Sequence, residues 1–377
     1  MLTKAIVERG KMNWRYKRKI SPILLVCLPI AVIVIAAVIF MLSSGQTLAP
    51  QPSDTMSGNA SPTMHPDAPG GPQTSAAADY PDGAYTGTFD GGVRSGYGVM
   101  TYTDGRIYEG NWENDRRAGI GTLIWADGNV YTGDWVNDVR AGNGTYTWAS
   151  GAVYTGNWDD NNRSGYGVMT HANGSIYEGN WESDVKSGSG TFAWANGDVY
   201  TGDWKNDERS GNGTHIWANG EIYTGNWENN NRSGYGAITF TGGNIYEGNW
   251  ENDVKSGNGT FIWAVGDVYT GNWDDDARNG YGIMQYVSGS RYEGNWENNS
   301  VSGFGVLEYI NGNRYEGEWE DGEFSGLGTY TWANGNVYTG NWERSVRSGY
   351  GVFTPIEGDI LDGMWIDGIF AGPPPPD

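Results

Sequence analysis

Cysteine is almost missing from this chain: Cys27 is the single one among 377 residues. One thiol excludes an intramolecular disulfide framework. It lies inside an apolar run, where it reads as a packed or lipid-facing side chain. Histidine is scarce too, with only His65, His171 and His215. No nucleophile, base and acid come together along the chain, so no catalytic set and no cofactor are expected. Asp160-Asn161-Asn162-Arg163-Ser164-Gly165 resembles the opening of a calcium loop. The position of the closing Glu holds His171, however, and Arg163 places a positive charge inside the loop, so no metal is expected.

Basic residues are rare over most of the chain. Residues 1–43 hold seven of the 23 bases and one of the 45 acids; the remaining 16 bases and 44 acids give −28 from residue 44 onward. Such a surface repels phosphate backbones, which excludes nucleic acid as a partner of the main domain. Large apolar residues are nearly missing from 43–82, a stretch of Ser, Pro, Thr, Ala, Gly and Asp. It cannot bury enough surface to offset its chain entropy, so a flexible linker is expected there.

One long apolar run is present. Residues 20–42 carry no charge and are long enough to span a hydrocarbon core of roughly 30 Å. The cluster Arg15, Lys17, Arg18 and Lys19 stands just before it. The positive-inside bias makes 1–19 a cytoplasmic tail, Ile20 to Leu42 a transmembrane helix, and everything beyond it exoplasmic. The run exceeds the usual core of a cleaved signal peptide, and no small-x-small site follows it. A single-pass signal-anchor is therefore expected. The short basic tail and simple anchor suggest a bacterial envelope.

Glycine and aromatics are abundant, with 61 Gly, 24 Tyr and 19 Trp. Tyr stands at 85, 108, 131, 154, 177, 200, 223, 246, 269, 292, 315 and 338, a period of 23 without insertion. Counting from each Tyr, Gly recurs at +2, +11, +13 and +20, and Trp at +4, with Phe89 in the first copy. A second aromatic dominates +17. In the unit at Tyr108 the packing residues are Tyr108, Gly110, Trp112, Gly119, Gly121, Trp125 and Gly128. Tyr, Gly and Trp at 0, +2 and +4 share one strand face, because strand side chains alternate. Asn-Gly or Asp-Gly between the alternating runs, as at Asp127-Gly128, marks a tight hairpin turn. Each copy is thus two short strands, and a Gly beside an aromatic leaves room for a neighbouring ring over the backbone. One copy cannot bury its own face, whereas a stack can. An elongated all-β hairpin array is expected over 83–367, with twelve full copies, a decayed thirteenth at Leu361, and a tail at 368–377. A longer period is visible as well: Arg-Ser-Gly-Tyr-Gly begins at Arg94, Arg163 and Arg232, 69 residues apart.

The residues Tyr108-Glu109-Gly110-Asn111-Trp112, followed by Gly119-Ile120-Gly121 and Gly128, resemble the MORN-repeat family. The resemblance covers about 85–365. It implies a β-hairpin sheet used as a scaffold or a dimerisation surface. Lipid binding, also proposed for that family, fits poorly with the acidic charge. No methyltransferase or lipid-kinase domain of the kind some members carry fits the rest of the chain.

One row suggests a ligand. Position +9 is basic at Arg94, Arg117, Arg140, Arg163, Lys186, Arg209, Arg232, Lys255, Arg278 and Arg347, with breaks at Val301 and Phe324. It reads either as a ladder for an anionic wall polymer or as charge balance against acids at +5 to +7. The aromatic rows read either as a polysaccharide platform or as packing. The leading expectation is a non-catalytic, membrane-tethered scaffold with a protein partner, or a second copy, along the array. The alternative is a module that binds surface polysaccharide or anionic polymer.

Overall fold

The repeat dictates strands, and strands are what the array contains. A computed structural model describes residues 74–373, and the regular structure there is 27 β-strands, numbered β1–β27 in chain order. Each pairs antiparallel with the strand before it and the strand after it, as β3 (Val93–Tyr102) does with β2 (Gly83–Asp90) and β4 (Ile107–Glu113). Among the described residues, β1 (Thr74–Tyr80) and β27 (Ile369–Gly372) have one partner each, so the sheet is open at both ends. No helix among the described residues is long and apolar enough to cross a membrane. The tail 1–19 and the span 20–42 lie outside the described residues.

Strand β1 falls inside the stretch read as linker, 43–82. It pairs with β2 along its whole length, from Thr74↔Phe89 to Tyr80↔Gly83. Main-chain bonds hold it, so its Ala-rich composition gave no sign of it. The Tyr80 ring also takes the Arg94 guanidinium at 4.7 Å. At the other end, β27 lies in the expected tail and continues the ladder from β26 (Leu361–Ile366).

One hairpin stands for all. β4 and β5 (Arg116–Ile124) are joined by Asn114 and Asp115, with φ of 47° and 65°. Glu113 pairs with Arg116, so this is a two-residue loop with both residues left-handed, the arrangement of a type I′ turn. Asn and Asp tolerate that region better than most side chains. The two-residue turn is therefore not at the Asn-Gly and Asp-Gly dipeptides. Asp127-Gly128 lies in the other connection, where Gly128 N–H donates to the Trp125 carbonyl at 3.0 Å and Trp125 N–H to Asn129 at 2.9 Å. That is a three-residue loop whose single left-handed residue is Gly128, at φ 88°.

Register then shifts inside the hairpin. Gly110 faces Gly121, but Trp112 faces Arg117. The extra residues on β5 form a bulge, and Gly119 takes φ 55° within it. Arg117 shares the parity of Gly121 and the buried Leu123, on the face that carries Tyr and Trp, and the bulge sets it opposite Trp112.

Candidate functional site

The array has two faces, and the alternation of strand side chains assigns each residue to one of them. On the inner face the repeat Tyr is the most buried group. All twelve, from Tyr85 to Tyr338, are at most 1% exposed. The Tyr108 hydroxyl donates to the Asn111 carbonyl at 2.9 Å, so the burial leaves no orphaned donor. Its ring lies against Gly110 and Gly121. A Cβ on Gly121 would stand 2.2 Å from the Tyr108 hydroxyl oxygen, and one on Gly110 would stand 2.4 Å from the Gly121 Cα.

Trp at +4 links one unit to the next. Trp135 meets Tyr131 of its own unit edge-on at 5.2 Å and Tyr108 of the preceding unit at 5.6 Å. Its indole N–H donates to the Gly121 carbonyl at 3.1 Å. T-shaped contacts of this kind suit the ring quadrupoles. The same pattern runs on to Trp365 of the decayed unit, 5.3 Å from Tyr338. The +17 row is half-buried beside it; Trp125 lies 5.3 Å from Tyr146.

The +9 cations lie on this inner face. Arg117 stands 4.2 Å over the Trp135 ring, and Arg94, Arg163 and Arg232 sit over the next unit's Trp at 4.1–4.3 Å. Arg117 Nε is 3.0 Å from Asp138 Oδ1, and its Nη2 donates to the Asp138 carbonyl at 2.9 Å. Lys186 and Lys255 pair with Asp207 and Asp276 at 3.7 and 2.6 Å. Arg140, Arg209 and Arg278 meet Asn161, Asn230 and Asn299 instead, and donate to the same backbone carbonyl. Burial pushes the pKa of these three guanidinium groups down. All nine cations of the ladder, and Arg347 after them, are thus engaged with the following unit. Where the row breaks, Phe324 stacks on Tyr315 at 3.7 Å.

The two repeat histidines fill packing positions. His215 is buried between Trp194 and Trp217, with near-parallel rings at 5.3 and 4.3 Å. Arg209 Nη1 lies 2.8 Å from His215 Nδ1, which must then accept. Burial, helped by the charge of Arg209, lowers the His215 pKa to about 4. His171 packs near Phe192 at 5.7 Å. Among the described residues no group of His, Cys, Asp and Glu is arranged to hold a metal.

The outer face holds residues that the motif analysis did not single out, at +1, +12 and +14. Six seams between units carry a hydroxyl pair, such as Thr122 with Thr132 at 3.0 Å. The others carry an aromatic at +12 and an acid at +1 of the next unit. Tyr97 donates to Glu109, Tyr166 to Glu178, and Tyr235 to Glu247 at 2.6 Å. The 69-residue period was the signal for this, since it marks where Arg-Ser-Gly-Tyr-Gly precedes Tyr-Glu-Gly. A shallow groove of about 510 Å³ lies alongside, lined by Tyr166, Glu178, Ser189, Thr191, Thr201 and Asp203 among others.

A single-layer antiparallel sheet, grown hairpin by hairpin and closed by aromatic contacts between units, defines an all-β repeat protein. The model of the MORN repeat matches twelve segments, from 85–105 through 338–354, each beginning on a repeat Tyr. The chain belongs to the MORN-repeat family.

No curated protein matches the chain. Among solved structures it is similar to the TCP10 domain of Danio rerio CPAP in complex with a peptide of Danio rerio STIL. That match has 11% identity and a TM-score of 0.33, over 58% of this chain and 92% of that one. It is also similar to the SAS-4 (dCPAP) TCP domain of Drosophila melanogaster in complex with a proline-rich motif of Ana2 (dSTIL). There the identity is 14% and the TM-score 0.26, over 53% of this chain and 90% of that one. A virginiamycin B lyase from Staphylococcus aureus matches with 11% identity and a TM-score of 0.14, over 68% and 89%. These scores fall short of a shared fold.

Proposed function

We propose that this chain is a non-catalytic scaffold, tethered to a membrane by residues 20–42, that presents its MORN array on the exoplasmic side to a protein partner. One observation supports the scaffold reading above the others. The repeated rings and cations of the inner face are committed to the array itself. Trp135 is covered by Tyr108 and Tyr131, and Arg117 is held by Trp135 and Asp138. A module for polysaccharide or anionic polymer would need free indoles or free cations; the +4 and +9 rows supply neither, and the half-buried +17 rings pack against the same core. What the repetition leaves available is a long surface of one kind, which suits binding a partner rather than turning over a substrate.

The tether and its orientation rest on sequence: an uncharged run of spanning length behind a basic cluster. The bacterial envelope is the setting we infer from that short basic tail.

Proximity labelling tests this reading. A labelling enzyme is fused to the C-terminus of the full chain in the producing cell. A discrete set of exoplasmic proteins is expected, with the chain itself among them if copies pair. Labelling confined to cytoplasmic proteins would overturn the topology. No enrichment over a tether-only control would overturn the scaffold.

A further inference from the structure

Charge is separated between the faces of the sheet. The +9 cations point inward, each held by the next unit. The carboxylates at +1 point outward, and Glu109, Glu178 and Glu247 have no cation within ion-pair distance among the described residues. Further along the array the same position is compensated, by Arg291 at Glu293 and by Arg314 at Glu316. Three of the uncompensated seams recur every 69 residues, and a fourth, Tyr350–Asp362, stands apart near the end of the array.

Each of the three recurring seams carries a half-exposed ring: Tyr97 at 56%, Tyr166 at 53% and Tyr235 at 48%. The hydroxyl is bonded to the adjacent carboxylate, which fixes the ring across the seam. A fixed ring has little rotamer freedom left to lose on docking. A flat aromatic face beside an unpaired carboxylate is complementary to a guanidinium, which stacks on the ring and pairs with the acid. Six strand spacings separate successive seams, about 29 Å, so about 18 residues of extended chain would span all three.

We propose that the outer face of the first half of the array docks an extended, arginine-rich segment of a partner protein, with Tyr97–Glu109, Tyr166–Glu178 and Tyr235–Glu247 as its three arginine seats. This rests on the scaffold reading and names the partner's chemistry and the face it occupies. The chain's own basic tail, 1–19, lies across the membrane in the topology proposed above and is not the occupant.

The test uses the full chain in detergent micelles and a fluorescent 18-residue peptide with Arg at every third position between Gly and Ser. Anisotropy should show saturable binding that weakens at least about tenfold when salt rises from about 50 to 300 mM. The triple variant Glu109→Gln, Glu178→Gln, Glu247→Gln keeps an acceptor for each Tyr hydroxyl but loses the charge. It should bind at least about tenfold more weakly, with an unchanged circular dichroism spectrum. Thr122→Val with Thr132→Val, at a plain seam, should leave affinity unchanged. The same peptide with citrulline for arginine tests the wild-type chain directly and should not bind.

Equal binding of the citrulline peptide, or full affinity in the triple Gln variant, would overturn the proposal. So would binding of a peptide copy of residues 1–19 in preference to the arginine peptide. Failure of the wider reading looks different. If proximity labelling finds exoplasmic partners but the arginine peptide does not bind, the scaffold stands and this surface does not. If the peptide binds but labelling finds no partner, the reverse holds.

Discussion

Arg163 and Asp184 close a four-bond ring between neighbouring hairpins. The Arg163 amide and Nε both donate to Asp184 Oδ1 at 2.9 Å, Nη2 donates to the Asp184 carbonyl at 2.7 Å, and the Asp184 amide returns a bond to the Arg163 carbonyl at 3.1 Å. Asp184 is the second residue of its two-residue turn, at φ 71°. One cation therefore clamps the turn of the next unit and covers its Trp181.

The array already contains the control for this clamp. Asn161, Asn230 and Asn299 occupy the place of Asp184 and keep the bonds to the amide and the carbonyl. Asp184→Asn should be nearly neutral, because the carboxylate is half exposed and its charge adds little to the hydrogen bonds that Asn keeps. Asp184→Ala loses the acceptor and leaves Ala at positive φ, for a cost of about 2 kcal/mol. Urea unfolding of the two variants should separate them by that amount.

Trp181 touches the Tyr rings of two units, Tyr154 at 5.5 Å and Tyr177 at 5.1 Å. Trp181→Ala should cost about 3–5 kcal/mol, as for a buried large side chain. Trp194→Ala, in the half-buried +17 row, should cost less than half as much. Because stability in such an array sums over neighbouring interfaces, the first change should also broaden the unfolding transition.

Two glycines separate crowding from backbone strain. Gly190 would place a Cβ 2.4 Å from the Tyr177 hydroxyl oxygen, whereas Gly174 has open space around it but φ 87°. Gly174→Ala should cost about 1 kcal/mol from strain alone. Gly190→Ala should cost several times more, since either the Tyr ring or the strand must move. Thermal melting of both variants in parallel checks the ratio.

His215 makes stability depend on pH in a defined window. Its folded pKa, about 4, lies below the ordinary 6.5, so the unfolded chain binds the extra proton between those values. Stability is then fully present above about 6.5 and is lost as pH falls toward about 4. The loss from this group is on the order of 2–3 kcal/mol. Wild type and His215→Phe should differ in the slope of stability against pH across that window, with Phe flatter.

Much of this was legible because the repeat is strict. Alternation alone placed Tyr108, Gly110 and Trp112 on one face, and the hairpin array follows from their recurrence. The turns were harder. Asn-Gly is the stronger textual signal, yet the two-residue turn uses Asn114-Asp115, where the Asp side chain also accepts bonds from Arg94. Sequence spacing ignores that partner, 21 residues away. Arg117 shares the parity of Gly121 and Leu123, so alternation does aim it inward; what spacing hid was its hold by Trp135 and Asp138 of the next unit. Strand β1 escaped because backbone pairing leaves no mark in composition. The outer face was visible only as a 69-residue rhythm, whose meaning needed Tyr97 and Glu109 to be seen in contact.

The central claim is that the inner face is committed to the array and the outer face is left for a protein. Benzoylphenylalanine is placed at Tyr235, exposed on the outer face, or at Tyr309, half-buried on the inner face, in the full chain in its native membrane. The account predicts a discrete protein adduct on irradiation from position 235 and none from position 309. Adducts of equal yield from both positions, or adducts from 309 alone, would contradict it.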